Sequence, residues 1–187
     1  LGGPAWVSNI NVTPAESVAL AGKPIMAEPA AEGTISQWQV SDAFDGAVLA
    51  GKTELGDMAQ NATYHALEAE ASGLVNLARL QGVEAGKDTV FAQVTITAEE
   101  TGTRAFDFGF SDDVRVYLNG NLLFAASDRY TMRDYRFLGT VGYWDSVYLP
   151  LSAGENTLTL AITEDAADKT GWAVQGRLPD MAGLAVK

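Results

Sequence analysis

The sequence predicts an all-β chain folded as an antiparallel β-sandwich, and three observations carry that prediction. Two β-rich arms flank Asn119-Gly120, and a tight type I′ hairpin turn needs positive φ at both central positions, which Asn and Gly supply at least cost. About eight or nine short runs alternate apolar and polar residues with a period of two, each bounded by Gly, Pro, Asn or Asp. No stretch sustains a convincing helical period of 3.6 residues over several turns.

Taken in order, Leu1-Gly2-Gly3-Pro4 reads as loop and Trp6 to Val12 as a candidate edge strand. From Thr13 to Gly33 the composition turns to Ala, Gly and Glu, with prolines at 14, 24 and 29. Prolines so spaced prevent a long regular element, so residues 1–33 read as a strand plus a linker or extension, and 34–187 as the sandwich domain. Ile35 to Ser41 alternates, placing Trp38 and Val40 on a half-buried face, and Asp42 to Gly46 breaks it. The stretch 47–73 is expected to be mostly loop: a short helix between Asp57 and Ala71 is opposed by Asn61, Thr63 and Tyr64. Thr89 to Thr97 is rich in β-branched residues and reads as a strong strand. Thr101-Gly102-Thr103 turns the chain into Arg104 to Phe110, where Phe106, Phe108 and Phe110 share one face. In the following hairpin Val114, Val116 and Leu118 alternate with Arg115 and Tyr117, so one face meets a core and the other meets solvent or a second layer. Ser127 to Gly139 is polar and reads as a long loop. Val141 to Leu151 resumes as a strand, Ser152 to Asn156 turns, and Thr157 to Ile162 points Leu158, Leu160 and Ile162 inward. Trp172 to Leu178 is the expected last strand, stopped by Pro179.

Charge and composition narrow the function classes. Of 187 residues 47% are hydrophobic, ample for a core, and the formal net charge is −12. That charge repels nucleic acid and anionic membrane surfaces, so neither is an expected partner. No apolar run approaches the length of a membrane span, and the N-terminus lacks the basic and apolar regions of a signal peptide. Without cysteine the chain has no disulfide, thiolate metal site or cysteine nucleophile. Its one histidine, His65, excludes a multi-histidine zinc site, and its surroundings carry no nucleophile elbow.

The loop Asp128 to Arg136 holds the most suggestive chemistry. A sugar site combines an aromatic face, which stacks on the C–H face of a pyranose, with planar or charged groups that bond hydroxyl pairs in fixed directions. Arg129, Tyr130, Arg133 and Tyr135 supply both, and Trp144 adds a second stacking candidate beside Tyr143 and Trp172. The competing structural account pairs the arginines with neighbouring aspartates to hold a long loop, and puts the tryptophans in the core. Carboxylates at Asp42 and Asp45, and at Glu164, Asp165 and Asp168, offer hard oxygen ligands for calcium without the spacing of an EF-hand loop. A glycosidase needs two carboxylates flanking a cleft, and among 24 acidic residues no motif selects a pair.

Three phrases together carry a family resemblance. Asp113-Val114-Arg115-Val116-Tyr117-Leu118-Asn119-Gly120, then Tyr148 to Leu158 with its Gly154-Glu155-Asn156 turn, then Gly171-Trp172-Ala173-Val174, resemble the galactose-binding-domain-like jelly rolls over about Ile35 to Leu178. The resemblance implies a jelly-roll sandwich that serves as a carbohydrate-binding accessory module of a larger bacterial protein, secreted or periplasmic, with an oligo- or polysaccharide and neighbouring domains as partners. It also implies a structural calcium, for which Asp42, Asp45, Asp165 and Asp168 are the candidate ligands. More loosely, Ala5 to Thr13 resembles the terminal strand of a concanavalin-like or laminarinase-type sandwich. Asn119 and Asn156 are expected to serve turns rather than ligand. The alternative function is a structural or protein-interaction sandwich without sugar affinity.

Overall fold

The computed structural model describes residues 30–82, 84–129, 140–165 and 171–187. The expected strand at Trp6 to Val12, most of the 1–33 extension, and the candidates Tyr130, Arg133, Tyr135 and Asp168 lie outside the described residues.

Eleven strands follow one another among those residues: β1 (Gln37–Ser41), β2 (Tyr64–Glu68), β3 (Leu74–Asn76), β4 (Thr89–Ala98), β5 (Gly102–Phe110), β6 (Asp112–Leu118), β7 (Asn121–Asp128), β8 (Asp145–Leu151), β9 (Gly154–Thr163), β10 (Ala173–Arg177) and β11 (Leu184–Val186). Every pairing between them is antiparallel. The larger sheet runs β2-β1-β4-β9-β6-β7, with β11 sharing the edge of β4 that β1 occupies; the smaller runs β3-β10-β5-β8. The expected antiparallel β-sandwich is the architecture found.

Alternation dictates which side chains fill the space between the sheets. Phe106, Phe108 and Phe110 of β5 point inward and are fully buried, the first two stacked with ring centroids 5.3 Å apart. They meet Trp38 and Val40 from β1, Val114 and Val116 from β6, and Leu158, Leu160 and Ile162 from β9, one continuous core. Trp172 belongs to this core and donates its indole N–H to the carbonyl of Ile162 at 3.3 Å, so it is no surface platform.

The predicted hairpin forms between β6 and β7 with φ of 50° at Asn119 and 81° at Gly120. Tyr117, expected to face solvent or a second layer, meets a second layer. The segment after β1 folds back over the outer face of the larger sheet, and its Leu49, Leu55 and Ala59 bury Phe91, Tyr117 and Ala161. That sheet is therefore apolar on both faces at this point, a condition that simple alternation does not announce.

Three elements differ from the sequence expectation. The stretch 47–73, read as loop, contains β2, which pairs along the whole of β1; only Leu67 of its five side chains is buried, so its alternation is faint. The strand expected from Val141 begins at Asp145, because residues 140–144 cross the outer face of the smaller sheet. Pro179 ends β10, yet the chain returns as β11, a three-residue strand against Ile96 to Ala98 and too short to register as a period.

Asn156, 1% exposed, ties these parts together. Its Oδ1 accepts from Ser152 N at 3.0 Å and from Asn119 Nδ2 at 3.1 Å, while its Nδ2 donates to the carbonyls of Ser152 at 2.8 Å and Gly154 at 3.1 Å. Asn119 Oδ1 in turn accepts from Thr157 N at 2.8 Å. Both asparagines therefore serve turns, as expected. Replacing Asn156 by Ala leaves several buried groups unpaired, and chemical denaturation should show a loss of about 2–4 kcal/mol; a loss below about 1 kcal/mol would mean that water substitutes for the amide.

In the covering layer Tyr64 donates its hydroxyl to the carbonyl of Ala59 at 2.9 Å, and burial pushes its pKa from 10.0 up to about 12. A phenol that ionises later in the folded than in the unfolded chain stabilises the fold fully below pH 10, and that contribution is lost as pH rises from 10 to about 12. The stability gap between wild type and Tyr64→Phe should thus narrow across that window, read by denaturation at stepped pH; a constant gap would contradict the burial account.

Candidate functional site

Residues 140–144 follow a path set by two glycines. A Cβ on Gly109 of β5 would sit 1.8 Å from the carbonyl oxygen of Gly142, so the crossing segment lies directly on the strand backbone. A Cβ on Gly142 would stand 2.5 Å from the Trp144 indole, so the ring folds back against that glycine. Tyr143 is laid on the outer face of the smaller sheet, where the Arg177 guanidinium stacks 4.5 Å from its ring centroid. Arg177 is fixed by Asp107, which it reaches at 2.9 and 3.0 Å, and the Ser146 hydroxyl donates to the same carboxylate.

Beside this crossing opens a cleft of about 1080 Å³, walled by Tyr143 and Trp144 and bordered by Asn76, Gln175, Asp112 and Asp128. Trp144 is 44% exposed, an indole presented to solvent rather than to the core. The Gln175 amide nitrogen donates to the carbonyl of Ser72 at 2.8 Å, which leaves its carbonyl oxygen as an acceptor. Asn76 is committed the other way: its Oδ1 accepts from Ala78 N at 3.1 Å, leaving the amide nitrogen as a donor. A flat aromatic wall with a planar donor, a planar acceptor and carboxylates suits a polyhydroxylated ring, whose hydroxyls both donate and accept. A second groove of about 510 Å³ on the larger sheet is lined by Gln60, Gln93, Asn119, Asn121, Thr157 and Thr159 among others, and has no aromatic side chain.

At the margin of the cleft the base of the hairpin is strongly acidic. Asp112, 4% exposed with φ of 55°, stands opposite Asp128 in the β6–β7 register and accepts from Asp165 N at 2.6 Å. Arg129 bridges the cluster, reaching Asp113 at 2.6 Å and Asp165 at 3.1 Å. Its hydrogen bond to Asp113, reinforced by the charges of Asp113, Asp112 and Asp165, raises its pKa above the ordinary arginine value. Arg129 therefore makes the ion pairs that the structural account of the loop requires. Among the described candidates, Trp144 lines the cleft.

The candidate calcium ligands are separately engaged. Asp42 pairs with His65 at 2.8 Å, the Asp45 carboxylate accepts from Ala47 N at 2.9 Å as the cap of a short 3-10 turn, and Asp165 pairs with Arg129. Among the described residues, which do not include Asp168, no three carboxylate or imidazole groups converge on a cation position. No helix among the described residues is long and apolar enough to cross a membrane.

No protein-family model matches the sequence, and no curated protein matches it. The fold is similar to part of a β-glucosidase from Kluyveromyces marxianus at 14% identity and TM-score 0.43, over 79% of this chain and 16% of that one. It is also similar to a family 35 carbohydrate-binding module from an environmental isolate, at 15% identity and TM-score 0.39 over 82% of this chain and 90% of that one. A PA14 sugar-binding domain from an RTX adhesin aligns at 10% identity and TM-score 0.33, with 82% and 90% covered. The chain thus spans about a sixth of the β-glucosidase, and likenesses at these scores bear on neither ligand nor activity.

Asp128 opens the loop that the sequence marks as suggestive, whereas Asn76, Gln175 and Asp112 carry no ligand signal in the sequence. The four converge from β7, β3, β10 and β6, and only the pairing of strands distant in sequence brings them to one cleft.

Substituting Gly109 by Ala forces a methyl against the Gly142 carbonyl and must displace the crossing segment. Near-UV circular dichroism from Tyr143 and Trp144 should change, and stability should fall by about 1–3 kcal/mol; a variant with unchanged spectrum and stability would refute the close approach.

Proposed function

We propose that this chain is a non-catalytic carbohydrate-binding module, an accessory domain of a larger bacterial protein acting outside the cytoplasm, with an oligo- or polysaccharide as ligand. The observation that carries the reading is the exposed indole of Trp144 on the wall of an open cleft that planar amides and carboxylates also line. Indole burial is strongly favourable, and a ring kept at the surface by two glycines is poised for a flat apolar ligand face. The carboxylates of Asp112 and Asp128 would accept from sugar hydroxyls, Gln175 Oε1 would accept and Asn76 Nδ2 would donate.

A structural or protein-interaction role is the second reading, and the ion pairs of Arg129 favour it, since they spend a candidate ligand group on holding the hairpin base. A glycan array on folded protein separates the two. A saturable hit supports the module, and a blank array supports the structural domain. Running the array with calcium and again with chelator tests the calcium expectation, with the melting temperature followed in parallel. For a hit, Trp144→Ala should weaken binding by roughly tenfold or more without lowering the melting temperature; unchanged affinity would remove Trp144 from the site.

A further inference from the structure

Beyond the cleft, β8 carries a second exposed aromatic in line with Trp144. Val147, Leu149 and Leu151 point into the core, so the period of two turns Ser146, Tyr148 and Pro150 outward, on the side where Trp144 precedes the strand. Tyr148 is 74% exposed, the most exposed of the large hydrophobic side chains among the described residues. Four residues at strand rise separate the two aromatics by about 13 Å, more than one pyranose ring spans. Around Tyr148 the register places Ala105 opposite and Thr103 opposite Pro150, while Asp107 stands opposite Ser146. On this face Arg177 is bound to Asp107 and stacked on Tyr143.

We propose that Tyr148 is a second stacking platform, and that the ligand is an extended, uncharged saccharide chain lying along β8 from the Trp144 cleft to Tyr148. The inference rests on the carbohydrate-binding reading and adds to it the length, direction and charge of the ligand. The carboxylates of Asp112 and Asp128 at the cleft, on a chain of net charge −12, disfavour a polyanion. An added peptide strand is disfavoured too: β8 is a sheet edge among the described residues, but Pro150 deprives that edge of an N–H. A saccharide needs only the faces of the two rings, the Thr103 hydroxyl, and Ser146 Oγ as an acceptor, its hydrogen being donated to Asp107.

The test is calorimetric titration of the soluble cello-, xylo- and manno-oligosaccharide series, from monosaccharide to hexasaccharide, against wild type, Tyr148→Ala, Tyr148→Phe and Trp144→Ala. Wild-type affinity should rise with chain length in one series. Tyr148→Ala should cost roughly tenfold on the hexasaccharide and leave the monosaccharide unchanged, with Tyr148→Phe retaining the affinity because the ring face is kept. Binding that needs Trp144 but is indifferent to Tyr148 at every length overturns the platform and leaves the cleft reading intact. A glycan-array hit confined to acidic sugars overturns the uncharged chain alone. Failure of every series together with a blank array overturns both.

Discussion

The alternation of β5 is the constraint from which both the core and the candidate surface follow. Phe106, Phe108 and Phe110 can fill the gap between the sheets only if Ala105, Asp107 and Gly109 face the other way. On that outer face Asp107 anchors Arg177, Arg177 supports Tyr143, and the bare backbone at Gly109 admits the segment that carries Trp144. A one-residue slip of β5 would therefore empty the core and dismantle the cleft together. The stability of the sandwich thus enforces the placement of the aromatic wall.

The same coupling explains why glycine and asparagine recur where the chain has no freedom. Gly109 and Gly142 are small because something lies on top of them, and Gly176 is small because Trp38 and Phe106 leave no room for a methyl. Asn119 and Asn156 are polar because the turn they share is buried enough to need internal hydrogen bonds. None of these residues touches the cleft as a ligand group, yet each restricts where the cleft residues can be. Binding residues on such a frame lose little conformational freedom when a ligand arrives, which conserves affinity that a floppy loop would spend on ordering.

Most of the sandwich was legible in the sequence because its strands obey one rule. Thr89 to Thr97, Arg104 to Phe110 and the Asn119-Gly120 hairpin all alternate cleanly or carry turn chemistry, and all form. What escaped was what alternation cannot encode. β2 buries one side chain of five, β11 is three residues long, and Tyr117 is covered on its outer side by a segment whose own pattern is irregular. The site was legible only in part. Trp144 could be named from the value of an aromatic group near a loop, but Asn76 and Gln175 look ordinary until β3 and β10 pair. Tyr148 carried a readable signal: with Leu149 and Leu151 inward, the period of two turns an aromatic residue to solvent.

The two sheets differ in what their outer faces carry among the described residues. The larger sheet has spent part of its outer face on the layer formed by Leu49, Leu55 and Ala59, which seals Phe91 and Tyr117 away. The groove that remains there is polar and without an aromatic ring. Among the described residues, the smaller sheet has Trp144 and Tyr148 exposed between the Tyr143 crossing and the end of β8. The proposed saccharide would lie across both of these rings. Between them Asp107 and Arg177 neutralise each other, which fits the proposed ligand, recognised by shape and hydroxyl geometry rather than by charge.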